Sequence, residues 1–87
     1  MFNLRSILSA QARIRRHLPP TPLRHSFWLS RATDVDLHLK LESLNPTGSF
    51  KVRGALNMMS TMLDEARRHG VVTASAGNHG LGVAWAA

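Results

Sequence analysis

The sequence predicts an α/β fold in which strands alternate with helices and at least one strand is parallel and buried. Three observations lead there. Val35, Leu37, Leu39 and Leu41 alternate with Asp36, His38, Lys40 and Glu42, the two-residue period of a strand with one apolar face. Val52, Ala55, Leu56, Met59, Met62, Leu63 and Ala66 recur at spacings of three and four, the period of a helix with one buried side. The β-branched run Val71-Val72-Thr73-Ala74 is followed by a Gly-rich polar turn and an apolar, helix-compatible stretch from Leu81 to Ala87. Strand, turn, helix in that order is the unit from which parallel sheets are built.

The elements follow in chain order. Leu4, Ile7, Leu8, Ile14 and Leu18 mark an amphipathic helix over residues 4–17. Pro19, Pro20 and Pro22 end it and form a stiff connector, because proline fixes its own φ and lacks a donor. Leu23, Phe27 and Leu29 alternate with Arg24, Ser26 and Ser30 as a short strand, and Arg31 to Asp34 form a turn. The clearest strand is 35–41. A turn of Pro46, Thr47, Gly48 and Ser49 leads into a long helix over residues 49–69, with Ser49 as the expected N-cap. Arg67, Arg68 and His69 place positive charge in its last turn, and Gly70 suits the position just beyond. Residues 71–74 are the buried parallel strand. Trp28 and Trp85 are expected to pack inside.

Two segments carry chemistry. The first is Asn45-Pro46-Thr47-Gly48-Ser49-Phe50-Lys51-Val52-Arg53-Gly54-Ala55. Lys51 and Lys40 are the only lysines, against nine arginines, so most of the positive charge sits on arginine. A lysine at the start of a helix faces the positive end of the helix dipole, and burial there further disfavours its charged form. Both effects favour a neutral, nucleophilic amine. Position alone does not separate Lys51 from an ordinary solvated surface lysine; the second segment does.

That segment is Ser75-Ala76-Gly77-Asn78-His79-Gly80. It sits at the carboxyl end of the expected parallel strand, where α/β proteins bind ligands. The free N–H groups of the following helix favour an anion, phosphate or carboxylate. An ordinary βα turn that uses Gly and Asn for backbone reasons is the bland alternative. The spacing of Gly77, Gly80 and Gly82 does not match the dinucleotide-binding fingerprint, which excludes that class.

Taken together, Thr21-Pro22-Leu23, Lys40-Leu41-Glu42, the Asn45–Ala55 stretch and Ser75–Gly80 resemble the N-terminal part of the pyridoxal-phosphate enzymes of the tryptophan synthase β-like fold. The nearest branches are threonine/serine dehydratase (ammonia-lyase) and serine racemase. The resemblance implies a three-layer fold with a mostly parallel sheet, of which residues 1–87 are one truncated unit: helix, two strands, the lysine-bearing helix, a strand and the start of the next helix. It implies that Lys51 links pyridoxal 5′-phosphate covalently and moves the substrate's α-proton. It implies that Phe50 sits against the cofactor ring and that Asn78 hydrogen-bonds its phenolic oxygen. Ser75, Ala76, Gly77, Asn78 and His79 then frame the pocket for the carboxylate of a small hydroxy-amino acid. Where the racemase branch carries a serine as a second acid/base, this chain has Ala76, which favours elimination over racemisation. The same resemblance implies a cytoplasmic homo-oligomer.

The family's phosphate-binding glycine loop and its partner for the pyridine nitrogen have no counterpart in these residues. Ala86-Ala87 lie inside an apolar helical stretch with no cap, Gly or Pro after them. The expectation is a fragment of a longer enzyme, inactive by itself. A non-catalytic remnant or a simple anion-binding α/β module stays open beside the lyase.

Composition sets the outer bounds. Eighty-seven residues suffice for at most one small domain, and 44% hydrophobic residues argue for a globular chain. With no cysteine there is no disulfide framework and no thiolate zinc site. The five histidines lack metal-ligand spacing, and no apolar run approaches membrane-spanning length. The net charge is +6, and six arginines precede the first acidic residue, Asp34. A solvated helix face accounts for this; an organellar transit peptide or nucleic-acid contact are the alternatives. No aromatic or basic recognition module supports nucleic acid as a partner.

Overall fold

The computed structural model describes residues 2–87; Met1, where the expected unit 1–87 begins, lies outside them. Helix α1 spans Leu4–Ile14. Asn3 caps it reciprocally with Ser6: the Ser6 N–H donates to Asn3 Oδ1 at 2.9 Å, and the Asn3 N–H donates to Ser6 Oγ at 3.1 Å. The helix stops short of the expected residue 17. The N–H groups of His17 and Leu18 both turn back onto the Ile14 carbonyl, just ahead of Pro19 and Pro20.

The strand expected across residues 23–30 is shorter, and a helix replaces its second half. Strand β1 is Leu23–His25, and helix α2 is Phe27–Thr33. Ser26 makes the switch, because its hydroxyl accepts the Leu29 N–H at 3.3 Å and so caps a helix. Asp34 closes α2 in the left-handed region (φ 54°), where a short polar side chain is tolerated. Strand β2, His38–Lys40, is the paired part of the predicted 35–41 strand.

β1 and β2 pair antiparallel, with Leu23 opposite Lys40, Arg24 opposite Leu39 and His25 opposite His38. The mostly parallel sheet is therefore not what forms among the described residues. The connection over residues 26–37, with its seven-residue helix, brings β2 back alongside β1 in the opposite direction.

A single 3₁₀ turn, Glu42–Leu44, leads to the lysine-bearing helix. The long helix expected over 49–69 is two: α3, Lys51–Thr61, and α4, Leu63–His69. They break at Met62 (φ −129°, ψ 32°). Thr61 Oγ1 donates to the Met58 carbonyl at 2.7 Å, and the Met62 N–H reaches only to Met59. Such back-bonding by Ser and Thr competes with the regular ladder. Gly70 ends α4 at φ 72°, as its position in the sequence predicts.

Residues 71–74 form no strand, and Val72 is fully exposed. A strand exists only through a neighbour that takes its N–H and C=O groups, and none of the described residues does so here. Helix α5, Asn78–Ala86, follows.

The core lies where three helices meet. Leu18, Val52 and Leu56 are buried together, with Ile14 and Ala86 packed against them. Ala55 and Met59 extend the buried face of α3. Neither tryptophan is internal: Trp28 is 74% and Trp85 42% exposed, since α2 has no helix packed upon it and Trp85 lies beside the core rather than in it.

Candidate functional site

Lys51 is the first residue of α3 and is exposed. Phe50 holds the N-cap position in a helical conformation, so Ser49 stands one residue further out than expected. Ser49 still serves the helix start, because its hydroxyl accepts the Lys51 N–H at 3.3 Å. The Lys51 ammonium lies 5.1 Å from the centroid of the Phe50 ring, within cation–π range.

The turn before Lys51 is held from behind. Asn45, buried, donates its amide to the Glu42 carboxylate and, at 3.1 Å, to the Ser49 carbonyl. The Gly48 N–H returns to the Asn45 carbonyl at 2.8 Å. Gly48 has φ 76°, a conformation that glycine adopts without strain. Arg53 Nε donates to Glu42 at 2.6 Å, and both side chains are about three-quarters buried. The hydrogen bond from Arg53 holds the Glu42 carboxyl below its ordinary range, against the opposing effect of burial. Thr47 Oγ1 is a buried hydroxyl without a partner in the same turn.

The second segment builds the start of α5. Ser75 Oγ accepts the Gly77 N–H at 3.1 Å, which folds the turn onto itself. Gly80 lies close against Ser75, where an added Cβ would stand 3.4 Å from that of Ser75. No side chain caps α5, so the N–H groups of its first turn face outward. Ser75, Ala76, Gly77, Asn78 and His79 are all exposed.

Gly82 brings the two segments together. An added Cβ there would meet the Val52 N at 3.1 Å and the Lys51 C and O at 3.2 Å. Backbone therefore touches backbone at the start of α3. One turn later Ala86 packs on the cluster with Val52 and Leu56. The helices thus run side by side in the same direction, with both N-termini at one end. Asn78 precedes Gly82 by four residues, about 6 Å along the helix axis. Two helix dipoles point their positive ends toward the same region, which suits an anion. His79 is turned differently: with Gly54, Ala55, Met58, Met59 and residues 70–73 it lines a groove of about 550 Å³. Lys51 and Asn78 are not among the groove's walls.

Sequence reasoning overlooked Glu42, Asn45, Arg53 and Gly82 as parts of this arrangement. Asn45 and Arg53 lie within the quoted stretch, but their shared partner is eleven residues from Arg53. Gly82 carries no signal apart from being a glycine within a helix.

A model of the family described as pyridoxal-phosphate dependent enzyme matches residues 14–87. Curated relatives match as well. An L-threonine ammonia-lyase of Thermotoga maritima is 46% identical over 87 residues, all of this chain and 22% of the relative. One of Geobacter sulfurreducens is 46% identical over 81 residues, 93% of this chain and 20% of the relative. A biosynthetic L-threonine dehydratase of Corynebacterium glutamicum is 47% identical over 79 residues, 91% of this chain and 18% of the relative. The chain spans about a fifth of the length of these relatives.

Proposed function

Because the chain belongs to the family of pyridoxal-phosphate dependent enzymes, we propose that it is the lysine-bearing segment of a threonine/serine ammonia-lyase, with Lys51 as the cofactor-linking residue. The observation that carries this is the Gly82 contact, which ties the start of the Lys51 helix to the helix that opens with Asn78.

The donor set fits pyridoxal phosphate. Lys51 offers an exposed primary amine with an aromatic face beside it. Asn78 offers an amide for the phenolic oxygen, and the uncapped start of α5 offers N–H groups to an anion. The unpartnered Thr47 hydroxyl adds a polar atom to the turn beneath.

When bound, the cofactor supplies an electron sink for the pair released at the substrate's α-carbon. The remaining work falls to this chain. The turn at Ser75–His79 and the first N–H groups of α5 hold the substrate carboxylate. The Lys51 amine takes the α-proton, and the β-hydroxyl leaves from the neighbouring carbon. The hydroxyl departs with a proton as water, and water then hydrolyses the released enamine to a 2-oxo acid and ammonia. Ala76 carries only a methyl group and transfers no proton, so the face opposite Lys51 lacks an acid/base among these residues. That favours elimination over a serine racemase-like outcome. On the same reading the complete enzyme is a cytoplasmic homo-oligomer that acts on a small hydroxy-amino acid and on neither nucleic acid nor membrane. No helix among the described residues is long and apolar enough to cross a membrane.

Lys51, Phe50 and Asn78 are all exposed in this chain. It is therefore expected to bind pyridoxal phosphate weakly and to be inactive by itself. The test is borohydride reduction in the presence of pyridoxal phosphate, followed by peptide mapping. The pyridoxyl group is expected on Lys51; labelling at Lys40 in its place refutes the assignment.

A further inference from the structure

We propose that Glu42, Asn45 and Arg53 form a positioning clamp that sets the direction in which Lys51 leaves its turn. The proposal rests on the reading of Lys51 as the cofactor-linking lysine.

The clamp closes a loop of backbone at both ends. Arg53 Nε donates to Glu42 at 2.6 Å, from the third residue of α3 to the first residue of the 3₁₀ turn. Between them, Asn45 donates to the same carboxylate and to the Ser49 carbonyl. The Asn45 N–H also returns to the Glu42 carbonyl at 3.2 Å, and the Arg53 N–H to the Phe50 carbonyl at 3.1 Å. Glu42, Asn45, Ser49, Phe50 and Arg53 are thus tied together around the turn. Asn45 is one of two buried polar side chains among the described residues, and its amide nitrogen makes both of these donations.

The geometry separates holding from reacting. Residues two apart on a helix point about 200° from each other. Arg53 therefore pulls on the back of α3 while Lys51 faces away from it. None of the three clamp residues is hydrogen-bonded to the Lys51 amine, so their role is to position it. The pairing also occupies the Arg53 charge. Freed from Glu42, that guanidinium would be a mobile cation two residues from the amine. Arginine's planar fork suits a carboxylate in a way lysine's point charge does not, so Arg53→Lys loosens the clamp without changing charge.

The readouts are structural and chemical, independent of turnover. The chain is treated with excess pyridoxal phosphate and borohydride, and the rate of pyridoxyl incorporation at Lys51 is measured against the α-amine of the same chain. Hydrogen exchange is followed at the amides of residues 48–51. Glu42→Gln and Arg53→Lys are expected to slow incorporation at Lys51 about tenfold, the scale of one charged hydrogen bond, and to speed exchange in the turn. Reversing the pair, Glu42→Arg with Arg53→Glu, remakes the ion pair but leaves the Asn45 amide without its acceptor, so it should restore only part of both. Circular dichroism verifies the helices, and Arg53→Lys serves where Glu42→Gln fails to fold. If Lys51 reacts in the parent chain and equally fast in both variants, the clamp is wrong. If the parent chain reacts at Lys40 and not at Lys51, the reading of Lys51 fails, and the clamp's role with it.

Discussion

Replacing Gly82 by alanine puts a methyl group against the backbone of Lys51 and Val52. The three nearest atoms would lie 3.1–3.2 Å away, and all three are main-chain atoms of α3 that no rotamer change can move. Two opposing effects decide the outcome. Alanine improves the helix by about 0.8–1.0 kcal/mol over glycine. Forcing extra volume into a closed contact typically costs about 1–3 kcal/mol. The net expectation is a loss near 1 kcal/mol, or a fall in melting temperature of about 4–8 °C for a chain of this size. Gly54 provides the control. It lies within α3, and an added Cβ there meets nothing within 4 Å. Gly54→Ala therefore keeps the helix gain of about 0.8–1.0 kcal/mol and should raise the melting temperature. Because both variants share the propensity term, the difference between them isolates the contact. Thermal unfolding followed by circular dichroism measures it. If Gly82→Ala stabilises the chain as much as Gly54→Ala, α5 does not sit on the start of α3, and the joining of Lys51 to Asn78 collapses with it.

Leu18 is 1% exposed at the meeting point of α1 and α3, so Leu18→Ala should cost about 2–5 kcal/mol and expose α1 to protease in a limited digest. The folded state holds Glu42 below its ordinary value of 4.5, so the unfolded chain binds more protons and stability rises with pH through that window. The Glu42–Arg53 contribution is therefore present above pH 4.5 and lost as the pH falls through the lower folded value; the gap in melting temperature between parent and Glu42→Gln should narrow on acidification, and a gap that widens contradicts this. In the complete enzyme, L-serine should yield pyruvate much faster than D-serine, because a missing general acid/base typically forfeits about a hundred- to ten-thousand-fold. Ala76→Ser should raise the D-serine yield, and equal rates of the two products before substitution would overturn the role given to Ala76.

What the residues determine unaided is local. Lys51 stands where Pro46, Thr47, Gly48 and Ser49 predict, at the end of a turn and the start of a helix, because turn chemistry and helical period act over a few neighbours. Ser75–Gly80 makes the predicted turn into α5 for the same reason. The apolar positions Val52, Ala55, Leu56 and Met59 are the buried face of α3, as their spacing says. Tertiary structure decided the rest. Residues 71–74 have the composition of a strand, yet a strand is a property of a pair, and none of the described residues pairs with them. The Met62 break coincides with the Thr61 hydroxyl taking the Met58 carbonyl, a choice that period alone does not encode. The direction of the sheet, the Glu42–Arg53 pairing and the seat of Gly82 on Lys51 each join residues separated along the chain. The core of Leu18, Val52 and Leu56 holds the helices in the register these contacts require, and that packing places the lysine beside the helix that begins at Asn78.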